Sequence, residues 1–279
     1  MSYAAEISRT NPTCFLFLVD QSGSMAKPFG GEAGKIKAQG VADAINRLLQ
    51  NLVLKCAKSD GIRDYFYVGV IGYGARVGPG FGGALADRGL VPVSEIANKP
   101  LRVEQRTRKA DDGAGGLVDQ KFKFPVWFEP TADGKTPMCK AMNVATQAVF
   151  QFIKRFPGCY PPMVLNITDG MATDGNPEAA AAGIRSLPSQ DGNVLLFNAH
   201  LSSRAERPIE FADKEQGLPD DFARLLFRMS SVLPPPLQAA ARSEGFKTGP
   251  ATRGFVFNAD LVSVVRFMDI GTKAASGVR

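Results

Sequence analysis

Six consecutive apolar residues, Cys14 to Val19 (CFLFLV), end abruptly in Asp20. A run with no polar position on either side of the pleat can be a strand only where both faces are covered. A chain built around such a strand needs layers above and below it, and helices are the usual cover. The segments that follow fit this. From about Lys35 to Lys58, the residues Val41, Ile45, Leu48, Leu49, Leu52, Val53 and Cys56 step by three and four, placing them on one helical face. Tyr65 to Tyr73 (YFYVGVIGY) is aromatic and β-branched and reads as a second strand.

The alternation continues with a helix over Pro137 to Phe156, a strand at Met163 to Thr168 (MVLNIT), a helix over Pro177 to Leu187 and a strand at Val194 to Leu201. A helix over Asp220 to Met229 follows, capped by Asp220 or Asp221. Pro234, Pro235 and Pro236 then interrupt, and a short helix runs to about Glu244. Gly254 to Asn258 reads as an edge strand, and Asp260 to about Ala274 as a closing helix. This order predicts an α/β fold, a doubly wound, mostly parallel sheet with helices on both faces. The stretch from about Arg76 to Pro130 departs from the pattern, with many glycines and no helical period. Phe122, Phe124, Val126 and Phe128 alternate there as one face of a strand. The expectation is a single domain over 1–279, with a strand-rich insertion at about 76–130.

Charge and cysteine usage narrow the function classes. Lysines and arginines number 33 against 27 acids, a net charge of +6, too even to indicate a nucleic-acid binder. The basic run Lys99, Arg102, Arg106, Arg108 and Lys109 reads as a solvated face. No apolar run reaches membrane-spanning length, and Met1 to Asn11 has no signal-type stretch. Cys14, Cys56, Cys139 and Cys159 lie far apart, as reduced, mostly buried thiols of a cytoplasmic protein would. With His200 as the one histidine, paired-histidine zinc motifs are excluded.

Ligands of doubly wound sheets bind at the carboxyl ends of strands. After the first strand comes Asp20-Gln21-Ser22-Gly23-Ser24-Met25, and after MVLNIT comes Asp169-Gly170. Just before the Pro137 helix lie Asp133-Gly134-Lys135-Thr136. Asp20 and Asp169 offer anionic oxygens, and Ser22, Ser24 and Thr136 offer hydroxyls. An all-oxygen set without cysteine or histidine favours magnesium or manganese over zinc or copper. These ligands leave a coordination position for an outside oxygen.

On these residues the chain resembles von Willebrand factor type A domains, from about Thr13 to Thr272. Their metal-ion-dependent adhesion site has the pattern DxSxS, then a threonine, then an aspartate, matched here by Asp20, Ser22, Ser24, Thr136 and Asp169. The resemblance is to the stand-alone intracellular bacterial members. It implies that Ser22, Ser24 and Thr136 bind the cation, magnesium with manganese or calcium as substitutes. Asp20 and Asp169 then act through bridging waters. It also implies that a partner protein supplies the missing ligand from an aspartate or glutamate. A scaffold or regulatory role beside a kinase, phosphatase or ATPase follows by the same resemblance, with no catalytic residue.

Competing readings are plainer or catalytic. Asp174 fits a turn, with the rim of the site as the other reading. Gly72 to Gly78 mimics a dinucleotide loop, but Pro79, Gly80, Gly82 and Gly83 leave no helix for a pyrophosphate to cap. His200 in an apolar strand and Cys139 in an amphipathic helix read as core. The alternative function is a magnesium-dependent phosphatase or other phosphoryl-transfer enzyme using Asp20 or Asp169. Against it, the chain lacks a DxDx[TV] nucleophile pattern, a P-loop and a GxSxG elbow.

Overall fold

A computed structural model describes residues 3–29, 34–111, 116–203 and 207–272. In chain order, β1 (Thr13–Asp20) leads through a 3₁₀ turn (Gly23–Ala26) to α1 (Lys37–Cys56). A small hairpin, β2 (Ala57–Lys58) with β3 (Gly61–Ile62), precedes β4 (Phe66–Tyr73), β5 (Val77–Pro79), β6 (Val91–Pro92) and the short helix α2 (Val93–Asn98). A long hairpin follows, β7 (Arg102–Asp111) and β8 (Leu117–Val126), then α3 (Met138–Arg155), β9 (Met163–Thr168) and α4 (Glu178–Ser186). The chain closes with β10 (Leu195–Leu201), β11 (Ile209–Glu210), α5 (Asp221–Met229), α6 (Pro235–Ser243), β12 (Phe255–Ala259) and α7 (Leu261–Thr272).

The main sheet has eight strands in the order β11-β12-β10-β9-β1-β4-β5, with β6 also beside β4. Strands β12, β10, β9, β1 and β4 are mutually parallel, and the short β5, β6 and β11 are antiparallel at the margins. The expected doubly wound α/β sheet is therefore present. All eight residues of β1 are buried. Phe15, Phe17 and Val19 pack on the layer of α1, α6 and α7, while Cys14, Leu16 and Leu18 pack on the layer of α3, α4 and α5. Strand order reverses between β4 and β9, on either side of β1. The carboxyl end of β1 is thus the switch point where such sheets open a crevice.

Several expectations need correction. The strand at Gly254 to Asn258 is not an edge: β12 lies between β10 and β11, which pairs with it at Ile209 and Glu210. Two residues carry too little pattern for β11 to be read from sequence. The prolines separate α5 from a short helix as expected, and Pro235 and Pro236 themselves form the first turn of that helix, α6, where a missing N–H leaves nothing unsatisfied. The closing helix is described to Thr272, and its expected end at Ala274 lies outside the described residues. The insertion also contains α2, too short for a helical period to show.

The insertion is anchored by one buried amide. Asn46 of α1 accepts from Trp127 N (2.9 Å) and Phe128 N (3.1 Å) and donates to Phe128 O (2.8 Å). Phe124, Val126 and Phe128 are buried as their alternation predicts, with Phe122 half-buried. The basic run is a solvated face laced by acids: Lys99 pairs with Glu95, Arg102 with Glu104 and Glu129, Arg106 with Asp43 and Glu104, and Lys109 with Asp119. Arg108 lies over Phe122. Asn46→Ala would strand three buried backbone groups and is expected to destabilise the fold by roughly 3 kcal/mol. Urea unfolding checks this, and a loss under about 0.5 kcal/mol, the scale of an ordinary surface substitution, would contradict the anchoring role.

Candidate metal centre

Four loops meet at the carboxyl end of β1. Gln21 N donates to Tyr73 O (2.7 Å), Asp133 N to Gln21 O (2.6 Å), Ala75 N to Asp133 O (2.9 Å) and Gly23 N to Gly134 O (3.1 Å). The approach is so close that side chains are excluded. A Cβ on Gly134, whose φ is +84°, would collide with the Ala75 backbone, and one on Gly74 would lie 2.5 Å from Asp133 O and 2.6 Å from Gln21 O. The loop after β9 joins through Thr173 N to Thr136 O (2.9 Å) and Thr136 N to Thr173 Oγ1 (3.1 Å).

Within this frame Ser22, Ser24 and Asp169 form a continuous chain of oxygens. Ser22 Oγ and Ser24 Oγ are 3.0 Å apart, and Ser24 Oγ donates to Asp169 Oδ1 at 2.5 Å. Asp20 is fully buried beneath them, accepting from Ser22 N (2.8 Å) through Oδ1 and from Thr168 Oγ1 (2.7 Å) through Oδ2. Burial raises the Asp20 carboxyl above its ordinary range, and the Ser22 and Thr168 hydrogen bonds pull it back. Thr136 is buried in the adjoining loop. Among the described residues no hydrogen bond links its hydroxyl to the other four.

The site has two members that the sequence reading missed. Lys37, the first residue of α1, is 3% exposed, and its Nζ lies 2.9 Å from Asp169 Oδ2. A signal for it exists: Lys37 stands four residues before buried Val41, on the apolar stripe, and a lysine there demands a carboxylate. Thr168 was also missed as a functional residue, although it immediately precedes Asp169 in Ile167-Thr168-Asp169-Gly170 (ITDG).

The donor set suits a hard cation. It is all oxygen, two carboxylates and three hydroxyls, and the Lys37 ammonium already stands in as a positive charge at Asp169. Of the two carboxylates, Asp169 is paired with that ammonium, whereas Asp20 is met only by the Ser22 amide and the Thr168 hydroxyl. Among the described residues no group of three or more histidine, cysteine, aspartate and glutamate side chains could hold a metal. A cation here would therefore rely on the serine and threonine hydroxyls.

The neighbouring groups take structural roles. Asp174 is neither an isolated turn residue nor part of the oxygen chain. Its carboxylate accepts from Cys139 N (3.0 Å) and Lys140 N (2.9 Å), capping the first turn of α3. Cys139 is partly exposed beside it rather than core, and burial with the Asp174 contact pushes its thiol up to about 11. The other three cysteines are buried, and all four are free. His200 stacks on Phe257 with ring centroids 4.2 Å apart, and its Nδ1 accepts from Asn258 N (3.3 Å). Burial, reinforced by the Lys37 charge, pushes the imidazole down to about 4 from 6.5. Gly72 to Gly78 turns from β4 into antiparallel β5, without a helix to cap a phosphate.

No protein-family model and no curated protein matches the chain. Among solved structures it is similar to the three N-terminal domains of the type V pili tip protein Mfa5 from Porphyromonas gingivalis. Identity is 12% over 58% of this chain and 20% of that one, with a TM-score of 0.33. It is also similar to the ArnB paralog VWA2 from Sulfolobus acidocaldarius, at 12% identity over 68% of this chain and 35% of that one, TM-score 0.32. A third is the pilus adhesin RrgA from Streptococcus pneumoniae, at 14% identity over 60% of this chain and 21% of that one, TM-score 0.31. The chain thus spans between 20% and 35% of the length of these structures.

Two outcomes test the site's electrostatics in chelator-treated protein. Thr168→Val removes a hydroxyl from a buried carboxylate and is expected to cost roughly 2 kcal/mol in urea unfolding; an unchanged midpoint would show that Asp20 does not depend on it. His200 binds its proton less readily folded than unfolded. Its contribution to stability is therefore whole above the unfolded pKa and is lost as pH falls from 6.5 towards about 4. The stability gap between wild type and His200→Gln should narrow by roughly 3 kcal/mol between pH 7 and pH 4. A constant gap would contradict a half-buried imidazole held neutral in the fold.

Proposed function

We propose that the chain is a binding module of the von Willebrand factor type A kind. Its site at the ends of β1 and β9 holds magnesium and engages an acidic side chain of a partner protein. Ser22, Ser24 and Thr136 hold the ion through their hydroxyls, and Asp20 and Asp169 orient them and balance the charge. When bound, the ion supplies an electrophilic position for an external carboxylate, because neutral hydroxyl ligands leave most of its charge unquenched.

The observation that carries this reading is the Ser22–Ser24–Asp169 oxygen chain, built from the DxSxS motif and the ITDG aspartate at the sheet's switch point. A non-catalytic role is supported by how the neighbouring groups are used. Asp20 is bound by Ser22 and Thr168, and His200 is stacked on Phe257. The Asp20 oxygens and the His200 Nδ1 are thereby taken up by donors of the chain itself. A scaffold or regulatory subunit beside a kinase, phosphatase or ATPase is the role we assign. Free thiols fit action in the reducing cytoplasm.

Calorimetric titration with magnesium or manganese tests the site. Wild type is expected to bind with millimolar or tighter affinity, and Ser22→Ala to bind at least about tenfold more weakly, the cost of losing one ligand contact. Retained affinity in Ser22→Ala, or no binding to wild type, would overturn the assignment. Capture of an acidic partner should likewise be lost in EDTA and in Asp20→Ala.

A further inference from the structure

We infer that Lys37 is a tethered counter-cation that must leave Asp169 before a divalent ion can occupy the site. The inference rests on the metal site proposed above. Both oxygens of Asp169 are engaged, Oδ1 by the Ser24 hydroxyl and Oδ2 by the Lys37 ammonium. The two charged side chains are 3% and 1% exposed, so salt and water screen their field weakly. A divalent ion entering beside Ser22 and Ser24 would meet that ammonium across one shared carboxylate. Two cations on a single buried carboxylate repel, so for the ion to stay the tethered ammonium must give way.

The structure gives Lys37 somewhere to go. Its side chain lines a cavity of about 430 Å³ that also contains Lys27, His200 and Asp220. Its backbone is fixed, with Lys37 N donating to Lys27 O at 3.0 Å. The four-carbon stem can therefore move within the cavity, which Asp220 also lines, while the start of α1 stays in place. A lysine in the first helical turn also sits at the unfavourable end of the helix dipole, so Asp169 is its principal source of stabilisation. The apparent metal affinity is then the intrinsic affinity reduced by the fraction of molecules in which Lys37 has moved out.

Manganese titration followed by the electron paramagnetic resonance signal of the free ion tests this on wild type and Lys37→Met at one ionic strength. Lys37→Met is expected to bind manganese roughly tenfold or more tightly than wild type, the factor by which the paired state outweighs the open one. Equal or weaker binding by a folded Lys37→Met overturns the inference. If that equal binding disappears in Ser22→Ala, the metal site itself stands. Absence of binding in both proteins removes site and counter-cation together. A second readout uses unaltered protein: reductive methylation of Lys37, followed by peptide mass spectrometry, should speed up when manganese saturates the site. An unchanged rate at saturation overturns the inference independently of how the variant folds.

Discussion

The Asp169 carboxylate is the contact on which the rest of the site depends. It stands at the end of β9, beside the end of β1, and joins the serine loop to the start of α1 through Ser24 and Lys37. A charge this deeply buried persists only where paired and fully hydrogen-bonded. Asp20 meets the same requirement by a different route, with a backbone amide and the Thr168 hydroxyl. Consecutive residues of one strand end, Thr168 and Asp169, thus hold the two halves of the site. The hard cation proposed for the site would meet this arrangement of oxygens.

Beneath the site, a polar chain crosses the hydrophobic core. Tyr73 OH donates to Asn166 Oδ1 (2.7 Å), Asn166 Nδ2 to Asn198 Oδ1 (3.0 Å), and Asn198 Nδ2 to Ser230 Oγ (3.0 Å). These bonds link β4, β9, β10 and the end of α5. Each member would be costly to bury alone, so the chain favours one register of these strands over a slipped one. With the glycine-only contact between the 74 and 134 loops, it fixes where the strand ends deliver their side chains. Such rigidity would let a few hydroxyls act together on the proposed ion.

Much of this was legible in the sequence because its signals are local. CFLFLV could only be a doubly covered strand, and the stripes of α1 and α3 marked their buried faces. The placement of Asp20, Ser22 and Asp169 followed from where such strands end. What stayed hidden depends on pairing between distant segments. The two residues of β11 have no period, yet they turn β12 from an edge into an interior strand. Lys37 stands on the apolar stripe of α1, but only the meeting of α1 with the β9 loop shows its carboxylate. Asp174 likewise gained its role from the amides of α3 rather than from its own turn.

An anomalous-scattering map from crystals grown with manganese tests the central claim most directly. One strong peak is expected in contact with the Ser22 and Ser24 hydroxyls, with the Lys37 side chain turned away from Asp169. A map without density at that position, and with the Lys37–Asp169 pair intact, would contradict it.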